Sequence, residues 1–260
     1  MCRHLAYLGP PRSLSSLLFD APHALARQSR TPRHQRPGAM NADGWGVGWW
    51  DRAVRPEPAR YRTTAPMWSD TSFRSVAELT QSGAIVAAAR NASPGSALVV
   101  TGNAPFAAER WLFSLNGYVD GFWEGVGEEL RRSISPARLA PIAGTADTEV
   151  LFAMVLDRLD AGARPVEALD DVTRAVLDRT DGKLNLLLCD GHAVTATAAG
   201  NSLFTLRGSG LAEGGVLVAS EPLDDDPGWT EVLPGTAVLV TSDRFDEVAL
   251  VTTVPTGGTA

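Results

Sequence analysis

Met1-Cys2-Arg3-His4-Leu5-Ala6-Tyr7 opens the chain and places one of its two cysteines directly behind the initiator methionine. A side chain as small as cysteine leaves the Met1-Cys2 bond open to methionine aminopeptidase, and loss of Met1 would give Cys2 a thiol and a free α-amine together. Nucleophile and base would then be one residue. Thiols ionise near pH ~8.5 and α-amines near ~8, so a neutral amine can take the thiol proton directly or through a water. A plainer reading stands beside this one. Leu5 and Tyr7 alternate with His4, Ala6 and Leu8 as in a first strand that packs, with Cys2 as an ordinary small apolar residue. The chemical reading needs the rest of a site from farther along the chain.

Composition narrows the classes. At 260 residues, 44% hydrophobic and 20% charged, the chain reads as one globular domain, and a net charge of -7 argues against a nucleic-acid surface. No apolar run approaches a membrane span of ~20 residues, and the start has no apolar core of a signal peptide. The partners expected are small molecules, in the cytoplasm, whose reducing conditions suit a free thiol. Cys189 ends the run Leu184-Asn185-Leu186-Leu187-Leu188 and reads as a buried strand residue. His4, His23, His34 and His192 sit at no metal-ligand spacing, so no metal or cofactor is expected. Homo-oligomers are common among enzymes of this size, and a monomer is not assumed.

Farther along, Pro10-Pro11 predicts a break after the first strand, and Ser13 to Phe19 a short helix capped by Ser13. Arg27, Arg30, Arg33 and Arg36, with His34, form a basic segment that is either a solvated loop or an arm beside a site. Asn41 to Trp50 alternates glycine with large side chains, which predicts a strand packed closely against another sheet. Ala84 to Ala89 reads as a buried strand ending at Arg90, whose guanidinium either snorkels or receives a carboxylate. Asn116-Gly117 follows another apolar strand. It is a turn signal, or a side-chain amide beside a backbone N–H of the kind an oxyanion hole requires.

Val150, Leu151, Met154, Val155 and Leu159 recur at helical spacing behind a cap at Asp147 or Thr148, and a second helix is predicted from Pro165 to Asp181. Strands are predicted at 184–190, 192–199, 203–207, 215–220, 236–241 and 247–253. Beta structure at both ends with helices between predicts layered sheets with helices outside.

Cys2, the Arg90 segment, Asn116-Gly117 and Asp147 together resemble the four-part signature of the class II glutamine amidotransferases, N-terminal-nucleophile hydrolases with a processed cysteine. The resemblance spans nearly the whole chain. It implies an α+β fold, a four-layer αββα sandwich, as one domain over residues 1–255 with a disordered tail at 256–260. It implies Cys2 as nucleophile and its amine as base, with the Asn116 side chain and the Gly117 N–H as oxyanion donors. Arg90 would take the α-carboxylate of a γ-glutamyl group and Asp147 its α-ammonium. One departure bears on substrate. Many glutamine-using members have Arg-Trp-Ala-Thr-His-Gly where this chain has Arg90-Asn91-Ala92-Ser93-Pro94-Gly95, which argues against glutamine.

Five stretches are similar to the amidohydrolases of ergothioneine biosynthesis, which remove glutamate from γ-glutamyl-hercynylcysteine sulfoxide. They are Met1 to Leu5, Pro32 to Gln35, Asn41 to Gly48, Ala65 to Phe73 and Ser220-Glu221-Pro222-Leu223-Asp224-Asp225-Asp226. That substrate carries a trimethylammonium group, for which the loop with Trp68, Asp70 and Phe73 is the expected aromatic and acidic wall, unless those aromatics merely cover a sheet edge. Two other functions remain in view: a stand-alone glutaminase feeding a separate synthase, and a non-catalytic sensor of γ-glutamyl metabolites.

Overall fold

Both faces of the opening stretch are buried, which puts it inside a sheet and not at an edge. The computed structural model describes residues 2–35, 39–93 and 95–251. The strand β1 runs over Arg3–Ser13. Then come β2 (Trp45–Trp49), β3 (Ala59–Thr63), β4 (Gln81–Ala89), β5 (Phe106–Ala108) and β6 (Trp111–Val119). The second half supplies β7 (Gly182–Cys189), β8 (Val194–Ala198), β9 (Phe204–Arg207), β10 (Val216–Ala219), β11 (Thr230–Glu231), β12 (Thr236–Val240) and β13 (Phe245–Ala249). These assemble into two antiparallel sheets, ordered β11-β9-β10-β1-β4-β2-β3 and β13-β12-β8-β7-β6-β5. The strand bearing the Cys2 segment is central in the first sheet, and that bearing Asn116-Gly117 lies next to the edge of the second.

Three cores make four layers. Leu5, Tyr7, Trp45 and Ile85 face outward from the first sheet, where α1 (Leu25–Arg30) and α2 (Thr71–Leu79) cover them. Ala6, Leu8 and Val86 face Leu112, Leu187 and Val238 between the sheets. Phe113, Leu115 and Leu186 pack outward from the second sheet against α5 (Asp147–Asp160) and α6 (Pro165–Leu177), with α3 (Val126–Arg132) and α4 (Pro136–Leu139) at the margin. The expected αββα order is present. In α5 four of the residues at helical spacing, Val150, Leu151, Met154 and Val155, are fully buried, and the fifth, Leu159, is partly buried against the same core.

Two expectations are corrected here. Pro10-Pro11 does not end the strand: the pairing of β1 with β4 shifts register between Leu8 and Arg12 and resumes at Arg12 opposite Ser82. Prolines donate no hydrogen bond, and a bulge at that point excuses them from the ladder. The helix from Pro165 ends at Leu177, the last residue of its apolar face, and not at Asp181. Ser13 does cap the following turn, accepting from Ser16 N at 3.3 Å, but that turn is a π-helix over Ser16–Asp20. Arg36 of the basic segment and the tail at 256–260 lie outside the described residues.

The glycine alternation has a cause. Trp45 and Val47 point outward, so Gly46 and Gly48 face the second sheet, and a β-carbon on Gly48 would lie 2.4 Å from Leu112 Cδ1. Close approach of the sheets requires the missing side chain. Gly48→Ala should therefore cost about 1–3 kcal/mol of stability by overpacking. Combined with Leu112→Val, the loss should fall short of the two single losses by about 0.5 kcal/mol or more in a urea-unfolding cycle.

Candidate active site

The apolar space between the sheets becomes polar at one end. Along β1 the inward positions run Leu8, Ala6, His4 to Cys2, and along β6 they run Leu112, Ser114 to Asn116. Cys2 is half-buried, and its thiol makes a long contact with Asn91 O at 3.9 Å. Burial pushes the Cys189 thiol up to about 12, so Cys2 is the accessible thiol among the described residues. Cys2 lines a partly open cavity with Arg90, Gly117, Trp123, Asp147 and Thr148.

Arg90 does not snorkel. Its buried guanidinium donates to Ala97 O at 3.1 Å and Asn103 Oδ1 at 3.3 Å and to the Ser96 hydroxyl, so the loop after β4 holds its fork in place. Gly102 lets the chain lie against it, since a β-carbon there would sit 2.9 Å from Nη1. Asp147 is the first residue of α5 and not its cap: its carboxylate accepts from Thr148 N at 2.7 Å and from Val119 N at 3.3 Å. Burial raises its pKa, and the two N–H groups and the charge of Arg90 offset part of that rise. The cavity thus has a cation at one wall and an ionisable carboxyl at another.

Asn116-Gly117 is no turn. Both residues lie within β6, paired with Asn185 and Leu184. Any side chain at 117 would collide with Lys183 O, 1.6 Å from the β-carbon position. Asn116 is fully buried, with Nδ2 3.1 Å from Ser220 Oγ and Oδ1 without a partner. Gly117 lines the cavity with Cys2 and Asn116 does not, although a side-chain amide and a glycine N–H of this kind can together stabilise the oxyanion of an acyl transfer.

Beneath Cys2 lies an ion pair. Arg3 Nε donates to Cys2 O at 2.8 Å, and Arg3 Nη1 meets Glu221 Oε1 at 2.9 Å with both side chains wholly buried. Glu221 Oε2 also receives His23 Nε2 at 3.3 Å and Arg33 N at 2.7 Å. Burial acts to raise the Glu221 pKa, but His23, the Arg33 N–H and Arg3 outweigh it and hold the carboxyl below the ordinary range. Among the described residues, Arg33 and His34 of the basic segment are therefore neither free nor part of the cavity wall. Arg33 is tied to Glu221 and Asp225, and His34 packs on Phe204 at 4.9 Å.

Trp68, Asp70 and Phe73 are not brought to the cavity. Phe73 is core, stacked on Tyr61 at 4.3 Å and edge-on to Trp45 at 5.1 Å. Asp70 caps α2 through Phe73 N at 3.1 Å and receives the Tyr61 hydroxyl at 2.6 Å. Trp68 sits under Arg30, 5.6 Å from its ring centre. The lack of helical period that set this stretch apart reflects a short 3-10 turn before a capped helix. Sequence reasoning missed Ser96 and Asn103, which hold Arg90, as well as Trp123. Only Trp123 carried a signal, as a large aromatic between Gly121 and Gly125.

The chain is similar over its length to proteins of one kind. A family model for class-II glutamine amidotransferases matches residues 14–213. The γ-glutamyl-hercynylcysteine sulfoxide hydrolase of Mycobacterium tuberculosis is 40% identical over 252 residues, 96% of this chain and 97% of the relative. The hydrolase of that name from Mycolicibacterium smegmatis is 38% identical, over 89% and 92%. Among solved structures, a glutamine aminotransferase class-II domain protein from Silicibacter pomeroyi superposes with a TM-score of 0.69 at 28% identity, covering 96% of this chain and all of that one.

Three stability outcomes follow from these contacts. Glu221→Gln strands a buried guanidinium and should cost about 3–5 kcal/mol in urea unfolding. Phe73→Ala should cost about 3–5 kcal/mol as a core truncation and leave substrate affinity unchanged. Burial, then the charge of Arg3, pushes His4 down to about 3, below the ~6.5 of an unfolded histidine. The unfolded chain therefore binds the extra proton between these values, so stability is full above pH ~6.5 and falls as the pH drops below it. His4→Gln should flatten that part of a thermal-midpoint profile.

Proposed function

The chain belongs to the class II glutamine amidotransferases, and on that footing we propose that it hydrolyses the γ-glutamyl amide bond of γ-glutamyl-hercynylcysteine sulfoxide in the cytoplasm, as a step of ergothioneine biosynthesis. The products are glutamate and hercynylcysteine sulfoxide. The observation that carries the reading is the convergence of Cys2, Arg90, Gly117 and Asp147 on one cavity from four separate segments. Similarity to two hydrolases named for that substrate supports the leaving group.

Each residue has a role suited to its chemistry. With Met1 removed, the Cys2 amine takes the thiol proton and the sulfur attacks the γ-carbonyl carbon. The Asn116 amide and Gly117 N–H hold the oxyanion. As the C–N bond breaks, the Cys2 ammonium returns its proton to the departing nitrogen. Water then adds to the thioester with the same amine as base, the C–S bond breaks, and the sulfur recovers its proton. Arg90 holds the α-carboxylate bidentately and Asp147 the α-ammonium. A groove runs on past Asn91 and Ser93, faced by Tyr118 and Trp123 and by the exposed Asp120 and Glu124. Aromatic faces with carboxylates suit the trimethylammonium group better than the Trp68 loop does.

The test is glutamate release from the sulfoxide substrate and, separately, from glutamine, with Cys2→Ala as blank. Release from the sulfoxide alone supports the reading, and preference for glutamine would replace it with a glutaminase. Trp123→Ala should weaken KM for the sulfoxide by about 1–2 kcal/mol, with little change in kcat. Because the Asp147 pKa is raised, KM should climb as pH falls through a value above that of an ordinary aspartate, the protonated form no longer holding an ammonium. A KM flat down to the ordinary aspartate range would contradict that role.

A further inference from the structure

At the end of β10 a side chain does the work of a main-chain carbonyl. Ser220 N donates to His4 O at 2.9 Å, yet the returning His4 N–H goes to Ser220 Oγ at 3.0 Å, while Ser220 O is taken by the Ser202 hydroxyl at 2.9 Å. The hydroxyl is thus tied to the main chain of β1 close to Cys2. It also reaches the other sheet, 3.1 Å from Asn116 Nδ2, and both residues are fully buried. Ser220 does not line the cavity.

Counting hydrogens singles this pair out. With Nδ2 on the hydroxyl, Oγ accepts two N–H groups, and Asn116 Oδ1 is left buried with no donor. A buried amide oxygen without a partner is costly. A half turn of the amide about Cβ–Cγ gives the oxygen a donor and moves the unpartnered position to the NH2 group. The hydroxyl then donates to Oδ1 while still accepting from His4, and Nδ2 takes the place of the orphaned oxygen. An NH2 group kept without a partner suits a site awaiting a transient oxyanion, whereas a carbonyl oxygen there would repel one.

We propose that Ser220 is the positioning residue for Asn116: its hydroxyl, anchored on His4 N–H, selects the amide orientation that presents Nδ2 to the reacting carbonyl. This rests on the oxyanion role proposed above for Asn116. It adds the link by which the strand of the nucleophile, in one sheet, sets the donor in the other.

Kinetics of Ser220→Ala, Asn116→Ala and the double variant on γ-glutamyl-hercynylcysteine sulfoxide, with thermal midpoints alongside, test it. Asn116→Ala should lose roughly 10²–10³-fold in kcat. Ser220→Ala should lose about 10-fold or more in kcat with KM within about twofold, the mark of an interaction made in the transition state. The double variant should be no slower than Asn116→Ala alone. An unchanged kcat in Ser220→Ala, or losses that multiply in the double variant, would overturn the proposal and leave the oxyanion reading standing. An unchanged kcat in Asn116→Ala would sink the oxyanion reading itself. Should Ser220→Ala fail to fold, Ser220→Cys, close in size and a weak donor, is expected to show the same split.

Discussion

The buried pair of Arg3 and Glu221 is the contact on which the rest depends. Two charges withdrawn from water need further hydrogen bonds to be tolerable, and here Arg3 Nε and Glu221 Oε2 spend theirs on the start of the chain, while Arg3 Nη2 and His23 Nδ1 stay buried without a partner. Arg3 holds the Cys2 carbonyl, and Glu221 holds the backbone of the basic segment and His23. A chain terminus ordinarily frays. Here the segment around Cys2 is fixed by groups more than two hundred residues away, and the nucleophile role proposed for Cys2 needs that fixity.

Two neighbouring residues just past the end of β10 divide the labour by turning to opposite sides. Glu221 serves the outer face and so the backbone of Cys2, whereas Ser220 serves the space between the sheets and so Asn116. One short stretch therefore holds both the backbone of Cys2 and the side-chain amide of Asn116. The cavity lies where the inter-sheet core changes from leucine to polar side chains, in surroundings where fixed donors act more strongly than they would in water.

How much of this was legible follows from how local each signal is. The helices α5 and α6 announced themselves by apolar spacing, and the late strands by alternation between turns, because both patterns are written in consecutive residues. Pro10-Pro11 misled because the bulge that excuses them shows only in the pairing: from Leu8 to Arg12 β1 advances farther than β4 does from Ala84 to Ser82. Phe73 and Asp70 misled for a related reason: a short turn and a cap interrupt periodicity just as a binding loop does. The proposed site residues Cys2, Arg90, Asn116-Gly117 and Asp147 came from resemblance, with their residue chemistry consistent, while Ser96, Asn103 and the contact of Ser220 with Asn116 were invisible. Their roles exist only once distant segments meet, and nothing in their own neighbourhoods marks them.

The most direct test of the account is an acid-quenched reaction with γ-glutamyl-hercynylcysteine sulfoxide, read by intact mass and peptide mapping. The account predicts a chain that lacks Met1 and carries one glutamyl group as a thioester on the Cys2 peptide, absent from Cys2→Ala. A turning-over enzyme that retains Met1, or an acyl group on any other residue, would contradict it.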